Sequence, residues 1–406
     1  MSDRNKIKYV LLVGDGMADY PLDELGGKTP LETARTPNMD RIAACRVGRV
    51  KTIPEGLEPG SDTANLSLLG YDPEIYHTGR SPLEAASMGV ALEAEDVAFR
   101  LNLVTLAMRQ NDEIVMKSHS SGDISTGEAA EIVKTLKEGL ETPGITLYPG
   151  VAYRHLLVWD NGPEHALTIP PHDVLDQDMS QYLNNPSDDP IPGLIRRSWE
   201  LLTDHPVNRK RRKQGLNEAN SIWLWGQGKA PKLPLFEKKY GLTGSVVCAV
   251  DLIKGIGTYA GFNFIAVEGA TGYLDTNYRG KAEAALEALQ TRDFVLLHVE
   301  APDEASHNGN SKEKIQAIEA FDEQVVGTIL KGLANYGAYR IMVVSDHYTP
   351  IVEKTHTVDP PPFAWGKKEE LESGTAGSPF TEASALKSGL FFEDGHELMP
   401  FFLSRD

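Results

Sequence analysis

The sequence predicts an α/β protein with a mostly parallel sheet flanked by helices and with a second, smaller domain. Three observations predict it: short apolar runs that each end in an acidic or histidine-containing loop, amphipathic segments between and after them, and a length of 406 residues, too long for one comfortable hydrophobic core. The composition, 41% hydrophobic and 24% charged, is that of an ordinary globular chain. A chain of this size can bury a full enzyme core.

Three apolar runs are predicted to be buried parallel strands. They are IKYVLLVGD (7–15), DFVLLHVEAPD (293–303) and YRIMVVSDH (339–347). The segments Lys281–Leu289 and Lys312–Leu333 have the composition and apolar spacing of helices, and strands that alternate with helices are typical of a parallel sheet. Because ligands bind beyond the carboxyl ends of the strands in such sheets, we expect the three strand-end loops to converge on one site.

The middle of the chain departs from this pattern. From about Gln110 to Asp189 it has short mixed segments separated by turn-forming clusters. We therefore predict a core domain formed by residues 1–110 and 190–406, and an inserted domain formed by residues 111–189.

Charge and cysteine content exclude several classes of function. The net charge of −18 repels nucleic acid phosphates and anionic lipid, so neither is an expected partner. Cys45 and Cys248 are far apart and form no CxxC motif, which excludes a disulfide framework and a thiolate zinc site. No apolar stretch has membrane-spanning length, and the apolar run near the N-terminus is shorter than a secretory core. We expect a cytoplasmic protein.

Acidic and histidine residues near the strand ends form a predicted metal site. Asp303 and His307 are four residues apart, so a helix beginning after Pro302 would place both on one face. The full set of candidate ligands is Asp15, Asp303, His307, Asp346, His347 and His356. A single Asp after a strand is usually a turn former or helix N-cap, but clusters at three strand ends favour metal binding. Carboxylate and imidazole ligands together suit manganese, zinc or iron better than magnesium.

Ser61 is the candidate nucleophile. It follows Pro59 and Gly60 and precedes an apolar, helix-compatible segment. A serine in this position is commonly an N-cap, and a helix N-terminus is also where free N–H groups favour a bound phosphate. A nearby metal ion would lower the pKa of the hydroxyl and activate it.

An anionic substrate would need local positive charge on this acidic protein. Arg209 and Arg212 belong to its densest basic run, VNRKRRKQG, which could equally be a solvated helix face. Guanidinium groups bind carboxylate and phosphate bidentately, so these two arginines are candidate substrate ligands. Arg80, in TGRSPLEA, and Arg154, in AYRH, are further candidates.

Long motifs resemble those of the cofactor-independent phosphoglycerate mutases of the archaeal type, members of the alkaline phosphatase superfamily. The likeness extends over nearly the whole chain, through LLVGDGMAD, GGKTPLETARTPNMD, PGSDTANLSLLGYDP, GRSPLEAASMGV, YPGVAYRHLLVW, NSIWLWGQG, GATGYLDTNY, HVEAPDEASH and KTHTVDP. The resemblance implies an alkaline-phosphatase-like core sheet with a smaller inserted α+β domain that closes over the substrate.

The resemblance also implies two metal sites and a reaction. One divalent ion would be held by Asp303, His307 and His356, and the other by Asp15, Asp346, His347 and Ser61. Manganese is the expected metal, with zinc, cobalt, iron and magnesium as alternatives, and 2,3-bisphosphoglycerate is not required. Ser61 would form a phosphoserine during the interconversion of 3-phosphoglycerate and 2-phosphoglycerate in glycolysis.

One motif departs from the family pattern. Where relatives commonly carry Gly-His-Ile-Ser, this chain has Gly122-Asp123-Ile124-Ser125. His119 is near enough in sequence to replace the missing histidine in phosphate contact or proton transfer, whereas a carboxylate at position 123 would repel phosphate. The departure concerns the substrate more than the metal core.

Three alternative functions therefore stay open. The chain looks most like a bacterial branch of the family for which phosphorylation of homoserine in threonine synthesis has been proposed. A phosphatase or phosphodiesterase would need only that water reach the phosphoserine. A catalytically silent binding protein on an inherited fold is the alternative from a different class, and the full metal set with Ser61 argues against it.

Overall fold

A computed structural model describes residues 7–109, 113–184, 190–374 and 376–404. The strands are β1 (Lys8–Gly14), β2 (Val47–Val50), β3 (Asp96–Met108), β4 (Ile114–Ser118), β5 (Ile145–Val151), β6 (Arg154–Asp160), β7 (Ser221–Gly228), β8 (Gly244–Val247), β9 (Asn263–Phe264), β10 (Phe294–Val299), β11 (Tyr339–Val344), β12 (Pro362–Lys367) and β13 (Phe391–Phe392). The helices are α1 (Pro30–Thr33), α2 (Pro37–Ala43), α3 (Ser61–Leu68), α4 (Pro73–Tyr76), α5 (Arg80–Ser87), α6 (Thr126–Leu140), α7 (Ser180–Leu183), α8 (Pro190–Leu202), α9 (Pro206–Lys213), α10 (Phe236–Tyr240), α11 (Asp251–Tyr259), α12 (Tyr278–Ala288), α13 (Ala301–His307), α14 (Ser311–Ala320), α15 (Gly327–Leu333), α16 (Lys368–Ser373), α17 (Glu382–Ser388) and α18 (Leu398–Leu403).

The chain forms two compact units. The core unit contains the residues up to His77 and from Lys232 onward, and the inserted unit extends from Thr78 to Pro231. Residues 110, 111 and 189, at which the boundaries were predicted, lie outside the described residues. The division nevertheless corrects the predicted boundaries, because β3 pairs with β6 and β7 and all three strands belong to the inserted unit.

The core unit is built on an eight-stranded sheet in the order β13-β2-β12-β11-β1-β10-β8-β9. Of these strands, β12 runs antiparallel to both neighbours, and the other pairs are parallel. Residues of β1, β10 and β11 are buried along their whole length, as expected of strands covered on both faces. This confirms the predicted mostly parallel sheet with three buried strands.

Register brings the carboxyl ends of the central strands to one edge. Val13 of β1 is aligned with His298 of β10 and with Val344 of β11. The loops that follow the three strands therefore begin side by side, which is the convergence expected from sequence.

Helices pack their apolar residues on this sheet. Ala282 and Ala285 of α12, with Phe321 and Ile329, join the strand residues in one hydrophobic cluster. The segment predicted to be helical over 312–333 is helical, as α14, a π-helical turn at Phe321–Val326, and α15.

The inserted unit is an α+β structure with five antiparallel strands. β3 pairs with β4, β6 and β7, and β6 pairs with β5. The apolar face of this sheet shares a hydrophobic cluster with α6 and α8, through residues such as Leu136 and Ile195. Within the ranges that the structure describes, no helix has both the length and the apolar character needed to cross a lipid bilayer.

Candidate active site

The loop after β1 brings Asp15 to the carboxyl edge of the core sheet. Asp15 is fully buried, and the next residue, Gly16, donates its N–H to Asp346 Oδ1 at 3.1 Å. Gly16 has a φ of 59°, and a Cβ at this position would lie 2.6 Å from Asp303 Oδ1. Glycine is therefore required both by the backbone conformation and by the close approach of a carboxylate.

A first group of ligand atoms surrounds Asp303. Asp303 Oδ2 lies 3.2 Å from His307 Nε2, because both side chains project from one face of α13, and Asp303 Oδ1 lies 3.4 Å from His356 Nε2. The two imidazole Nε2 atoms are 3.0 Å apart. Asp303, His347 and His356 also have ligand atoms within 4.8 Å of one another, so this group can hold a metal ion.

A second group lies beside it and includes the candidate nucleophile. Ser61 Oγ is 3.4 Å from Asp15 Oδ2 and 3.2 Å from His347 Nε2. His347 Nε2 lies 3.2 Å from Asp15 Oδ1 and 3.7 Å from Asp346 Oδ2. Asn65, one helical turn after Ser61, donates its side-chain amide to Asp346 Oδ2 at 2.9 Å and to the Ser61 carbonyl at 2.8 Å. Asn65 thus links the backbone of Ser61 to the Asp346 carboxylate.

Ser61 is the first residue of α3 and not its N-cap. The N-cap is Gly60, which has no side chain that could accept a hydrogen bond from the N–H groups of the first turn. The hydroxyl of Ser61 therefore does not cap its own helix and points to Asp15 and His347. In this first turn the Thr63 N–H donates to Asp62 Oδ1 at 3.0 Å, so a bound anion would have to compete with the Asp62 carboxylate.

The electrostatics of the site match a cationic ligand. Burial, followed by the negative charges of Asp346, Asp303 and Glu300, raises the pKa of Asp15 well above its usual range. Burial also lowers the pKa of His347 to about 4. Burial opposes the ionisation of Asp303, but its hydrogen bonds with His307 and His356 hold its pKa well below the usual range. Several buried carboxylates surrounded by neutral and cationic imidazoles are a donor set that suits divalent ions.

Basic residues of the inserted unit form a second cluster, which we call the arginine cluster: Arg80, Arg100, Arg154, His119 and His172. Arg100 Nη1 lies 2.6 Å and Arg80 Nε 2.8 Å from Glu84 Oε1. Burial opposes ionisation of Glu84, but Arg100 and Arg80, with a contribution from Arg154, lower its pKa. Three guanidinium groups thus act on one carboxylate, which leaves positive charge for an anion.

Aromatic rings connect the members of the arginine cluster. The guanidinium carbons of Arg80 and Arg100 lie 5.7 and 5.0 Å from the centre of the Trp225 ring. The ring of His172 is 5.3 Å from Trp225 and 6.3 Å from His119. Tyr153 contacts His119 at 5.9 Å and Arg154 at 5.6 Å. The predicted residues Arg80, Arg154 and His119 are therefore brought together.

Arg209 and Arg212 lie on α9 and are both exposed. Arg212 makes a two-pronged ion pair with Glu218, with both N···O distances 2.8 Å, and donates to the Thr203 carbonyl. Arg211, on the same helix, is buried and donates hydrogen bonds to Glu128 and to the Ser121 carbonyl. Of this basic run, Arg211 supports the loop that contains Asp123, and Arg212 has a carboxylate partner on the surface.

Comparison with known proteins places the chain in a family. The family model described as 2,3-bisphosphoglycerate-independent phosphoglycerate mutase matches residues 43–208, and that of type I phosphodiesterase / nucleotide pyrophosphatase matches residues 172–369. A protein of Geobacter sulfurreducens, named a probable 2,3-bisphosphoglycerate-independent phosphoglycerate mutase, is 52% identical over 98% of this chain and 100% of its own length. A protein of Methanosarcina acetivorans, named 2,3-bisphosphoglycerate-independent phosphoglycerate mutase, is 52% identical over 94% of this chain and 96% of its own length.

The chain belongs to the 2,3-bisphosphoglycerate-independent phosphoglycerate mutase family, within the alkaline phosphatase superfamily. The resemblance found in its motifs is thereby confirmed. The solved structure of the PH0037 protein from Pyrococcus horikoshii superposes with a TM-score of 0.80 at 31% identity, over 99% of each chain. The similarity to this solved structure therefore covers the residues of both units.

Four residues of this mutase-family site were not predicted from sequence. His298 and Glu300 belong to the metal-capable groups, and Thr349 contacts Asp303. Asn65 donates hydrogen bonds to Ser61 and Asp346.

Two residues of the arginine cluster, Arg100 and His172, were also not predicted from the sequence. For His298 a signal exists in the sequence, since it is a polar residue within an otherwise apolar strand, and such a residue needs a partner when buried.

Proposed function

We propose that this protein interconverts 3-phosphoglycerate and 2-phosphoglycerate through a phosphoserine at Ser61, in glycolysis and gluconeogenesis. The observation that carries the proposal is the position of the Ser61 hydroxyl, 3.4 Å from Asp15 and 3.2 Å from His347 within two adjoining metal-capable groups. Membership of the mutase family supports it. A cytoplasmic location and independence from 2,3-bisphosphoglycerate belong to the same proposal.

The donor set fits two divalent ions, for which manganese is our first choice. Asp303, His307 and His356 would hold one ion, and Asp15, Asp346, His347 and Ser61 the other. When bound, the ions supply Lewis-acid stabilisation of the transferring phosphoryl group and lower the pKa of the serine hydroxyl. The imidazole ligands favour manganese, zinc, cobalt or iron over magnesium.

The side chains then divide the work of two in-line transfers. Ser61 Oγ loses its proton and attacks the phosphorus of 3-phosphoglycerate, the bond between phosphorus and the O3 oxygen breaks, and O3 takes up a proton. The glycerate that forms stays bound and reorients, and its 2-hydroxyl loses its proton and attacks the phosphorus of the phosphoserine. The bond between phosphorus and Ser61 Oγ breaks and Ser61 Oγ is reprotonated, which gives 2-phosphoglycerate and restores the serine. Asn65 keeps Ser61 in line during both transfers, because it holds the serine carbonyl and Asp346 together.

In this proposal the arginine cluster binds the substrate carboxylate, and water is kept from the phosphoserine. The arginine cluster supplies guanidinium groups of the kind that bind carboxylates bidentately. Water has to be excluded because it would hydrolyse the phosphoserine and turn the mutase into a phosphatase. Arg209 and Arg212 have a weaker claim to this role, since Arg212 is paired with Glu218.

A homoserine phosphotransferase is the second candidate. The observation that favours it is Asp123, an exposed carboxylate near enough to His119 to act on its pKa, in a position where relatives commonly have histidine. A carboxylate attracts the positively charged ammonium group of homoserine, whereas it repels a negatively charged phosphate. The metal-capable groups and Ser61 would serve either acceptor.

One set of assays separates the candidates. Purified protein loaded with manganese is given 3-phosphoglycerate without ATP or 2,3-bisphosphoglycerate, and enolase reports 2-phosphoglycerate. We expect steady turnover with little release of inorganic phosphate. Absence of turnover together with phosphohomoserine formation from homoserine and ATP would replace the mutase by the phosphotransferase, and rapid release of phosphate would indicate a phosphatase or phosphodiesterase.

A further inference from the structure

His298 is a buried imidazole in the core sheet. Its neighbours Leu297 and Val299 belong to the hydrophobic cluster on one face of the sheet, and His298 projects from the opposite face because successive strand residues alternate. The side chain has no exposed surface. An imidazole in such a place is costly unless a polar partner compensates for its burial.

The partners of His298 are carboxylates of the second metal-capable group. Its Nε2 atom is 3.2 Å from Asp15 Oδ2 and 4.0 Å from Asp346 Oδ2. Asp15, His298 and Asp346 have one ligand atom each within 4.8 Å of one another. Among the described residues, neither ring nitrogen of His298 has a hydrogen-bond partner of acceptable geometry.

These distances are those of ligands around one ion. With metal bonds of about 2.0 to 2.2 Å, ligand atoms on a common ion lie roughly 3 to 4 Å apart. We propose that His298 Nε2 is a further ligand of the ion held by Asp15, Asp346, His347 and Ser61. The inference rests on the proposed metal site and not on the identity of the substrate.

The alternative to metal coordination is an ion pair between His298 and the two carboxylates. His347 argues for coordination, because it already contacts the same two carboxylates through its own Nε2 atom. Two imidazoles and two buried carboxylates therefore surround one position. A divalent ion bound there compensates the charge of both carboxylates and uses both nitrogen lone pairs, whereas two protonated imidazoles would compensate the charge alone. A second nitrogen donor also makes this metal site more selective for manganese, cobalt or zinc over magnesium.

Cobalt-loaded protein tests the proposal without any substrate. In the proton spectrum of a Co(II) protein, the exchangeable ring N–H of each coordinated histidine is shifted far outside the normal range, so coordinated histidines can be counted. We expect four such signals in the wild type, from His298, His307, His347 and His356. A count of three would overturn the proposal whatever the substrate of the enzyme turns out to be.

Two variants assign the fourth signal. His298→Gln should show three signals and bind the second cobalt ion at least about 10-fold more weakly. The matched control is His155→Asn, which changes another buried histidine, in the inserted unit, and should keep all four signals and both ions. Four signals in His298→Gln would assign the fourth to another residue and overturn the proposal. Because the wild-type count decides by itself, the test stands even if His298→Gln folds poorly.

Discussion

The Thr349 hydroxyl donates a hydrogen bond of 2.6 Å to Asp303 Oδ1. Since its single proton is used there, the hydroxyl can only accept from His347 Nδ1, which is 3.1 Å away. His347 is therefore held in the tautomer with its proton on Nδ1, which leaves the Nε2 lone pair facing Ser61 and Asp15. One threonine thus orients a ligand of each proposed ion.

Replacing Thr349 by valine should weaken both ion sites. The variant keeps the shape of the side chain but leaves Asp303 and His347 without their common partner. We expect metal affinity and kcat/KM to fall by roughly 10- to 100-fold, the usual cost of losing such a supporting hydrogen bond. Cobalt titration and the enolase-coupled assay measure the two effects, and Thr349→Ser, which keeps the hydroxyl, should behave almost like the wild type. Equal metal affinity in the valine and serine variants would refute this role.

Replacing Ser61 by alanine should abolish phosphoryl transfer while leaving most of the bound metal. Without the hydroxyl no phosphoserine can form, so we expect turnover to fall by a factor on the order of 10³ or more. Mass spectrometry of the wild type after quenching with substrate should show one phosphate on the peptide that contains Ser61. Substantial turnover in the alanine variant would exclude Ser61 as the nucleophile.

The two groups of candidate arginines should differ in their effect on substrate affinity. Arg154→Gln removes a guanidinium of the arginine cluster, and we expect KM for 3-phosphoglycerate to rise by roughly 10- to 100-fold, the value of a charge-assisted hydrogen bond. Arg212→Gln, which removes an exposed arginine paired with Glu218, should change KM less than about 3-fold. A larger rise in KM for Arg212→Gln than for Arg154→Gln would indicate that the substrate carboxylate binds to α9.

Gly16 should tolerate a methyl group much less well than Gly26. Both have positive φ, 59° and 67°, but a Cβ at Gly26 would meet nothing within 4 Å, whereas at Gly16 it would lie 2.5 Å from Thr349 Oγ1. We expect Gly26→Ala to cost about 1 kcal/mol of unfolding free energy, from backbone strain alone, and Gly16→Ala to cost more and to weaken metal binding. Urea unfolding in the presence of a chelator, followed by metal titration, separates the two costs. Similar losses in both variants would mean that the close approach to Thr349 does not matter.

His155 should make the inserted unit sensitive to acid. Burial lowers the pKa of His155 to about 4, and the Gly150 N–H donates to its Nδ1, which requires the neutral ring. The unfolded chain has an ordinary histidine pKa of about 6.5, so it binds more protons between these values. The part of the unfolding free energy that depends on a neutral His155 is fully present above pH 6.5. It is lost as the pH falls toward 4, by up to about 3 kcal/mol.

The variant His155→Asn tests this pH dependence, because its Oδ1 can replace Nδ1 as the acceptor. Its unfolding free energy should fall less steeply than that of the wild type between pH 6.5 and 4. His165→Asn changes an exposed histidine of the same unit and serves as the control, with an unchanged slope. Identical slopes for all three proteins would assign the acid sensitivity to other groups.

The strand ends could be predicted from sequence because their signal is local. An apolar run that ends in Asp15 or in Asp346-His347 reveals both the strand and the polar residue at its end. Parallel topology then brings such ends together without knowledge of the partners, and the structure places Asp15, Asp303 and Asp346 at one edge accordingly. The chemistry assigned to these residues stays a prediction until metal binding is measured.

The rest depends on pairings between distant parts of the chain. The residues of β3 and β7 fall within the predicted core domain, and their antiparallel pairing, which moves them into the inserted unit, has no local signal. His298 was overlooked because a single polar residue does not change the apolar character of β10. Arg100 was overlooked because its strand also carries Asp96, Asn102 and Thr105, so that it does not stand out. Charge density also does not reveal that Glu218, six residues later, pairs with Arg212, whose role in substrate binding stays a prediction.

The central position of β1 has a consequence for synthesis of the protein on the ribosome. Its neighbours in the sheet are β10 and β11, which follow it by nearly 300 residues or more, and the Gly16 N–H bonds to a carboxylate 330 residues away. The nascent chain therefore carries its first strand unpaired through most of translation, while the inserted unit, made of contiguous residues, can already fold. The proposed ion of Asp303, His307 and His356 can have its full set of ligands only after His356 has left the exit tunnel, and the proposed ion of Asp15, Asp346, His347 and Ser61 only after His347 has.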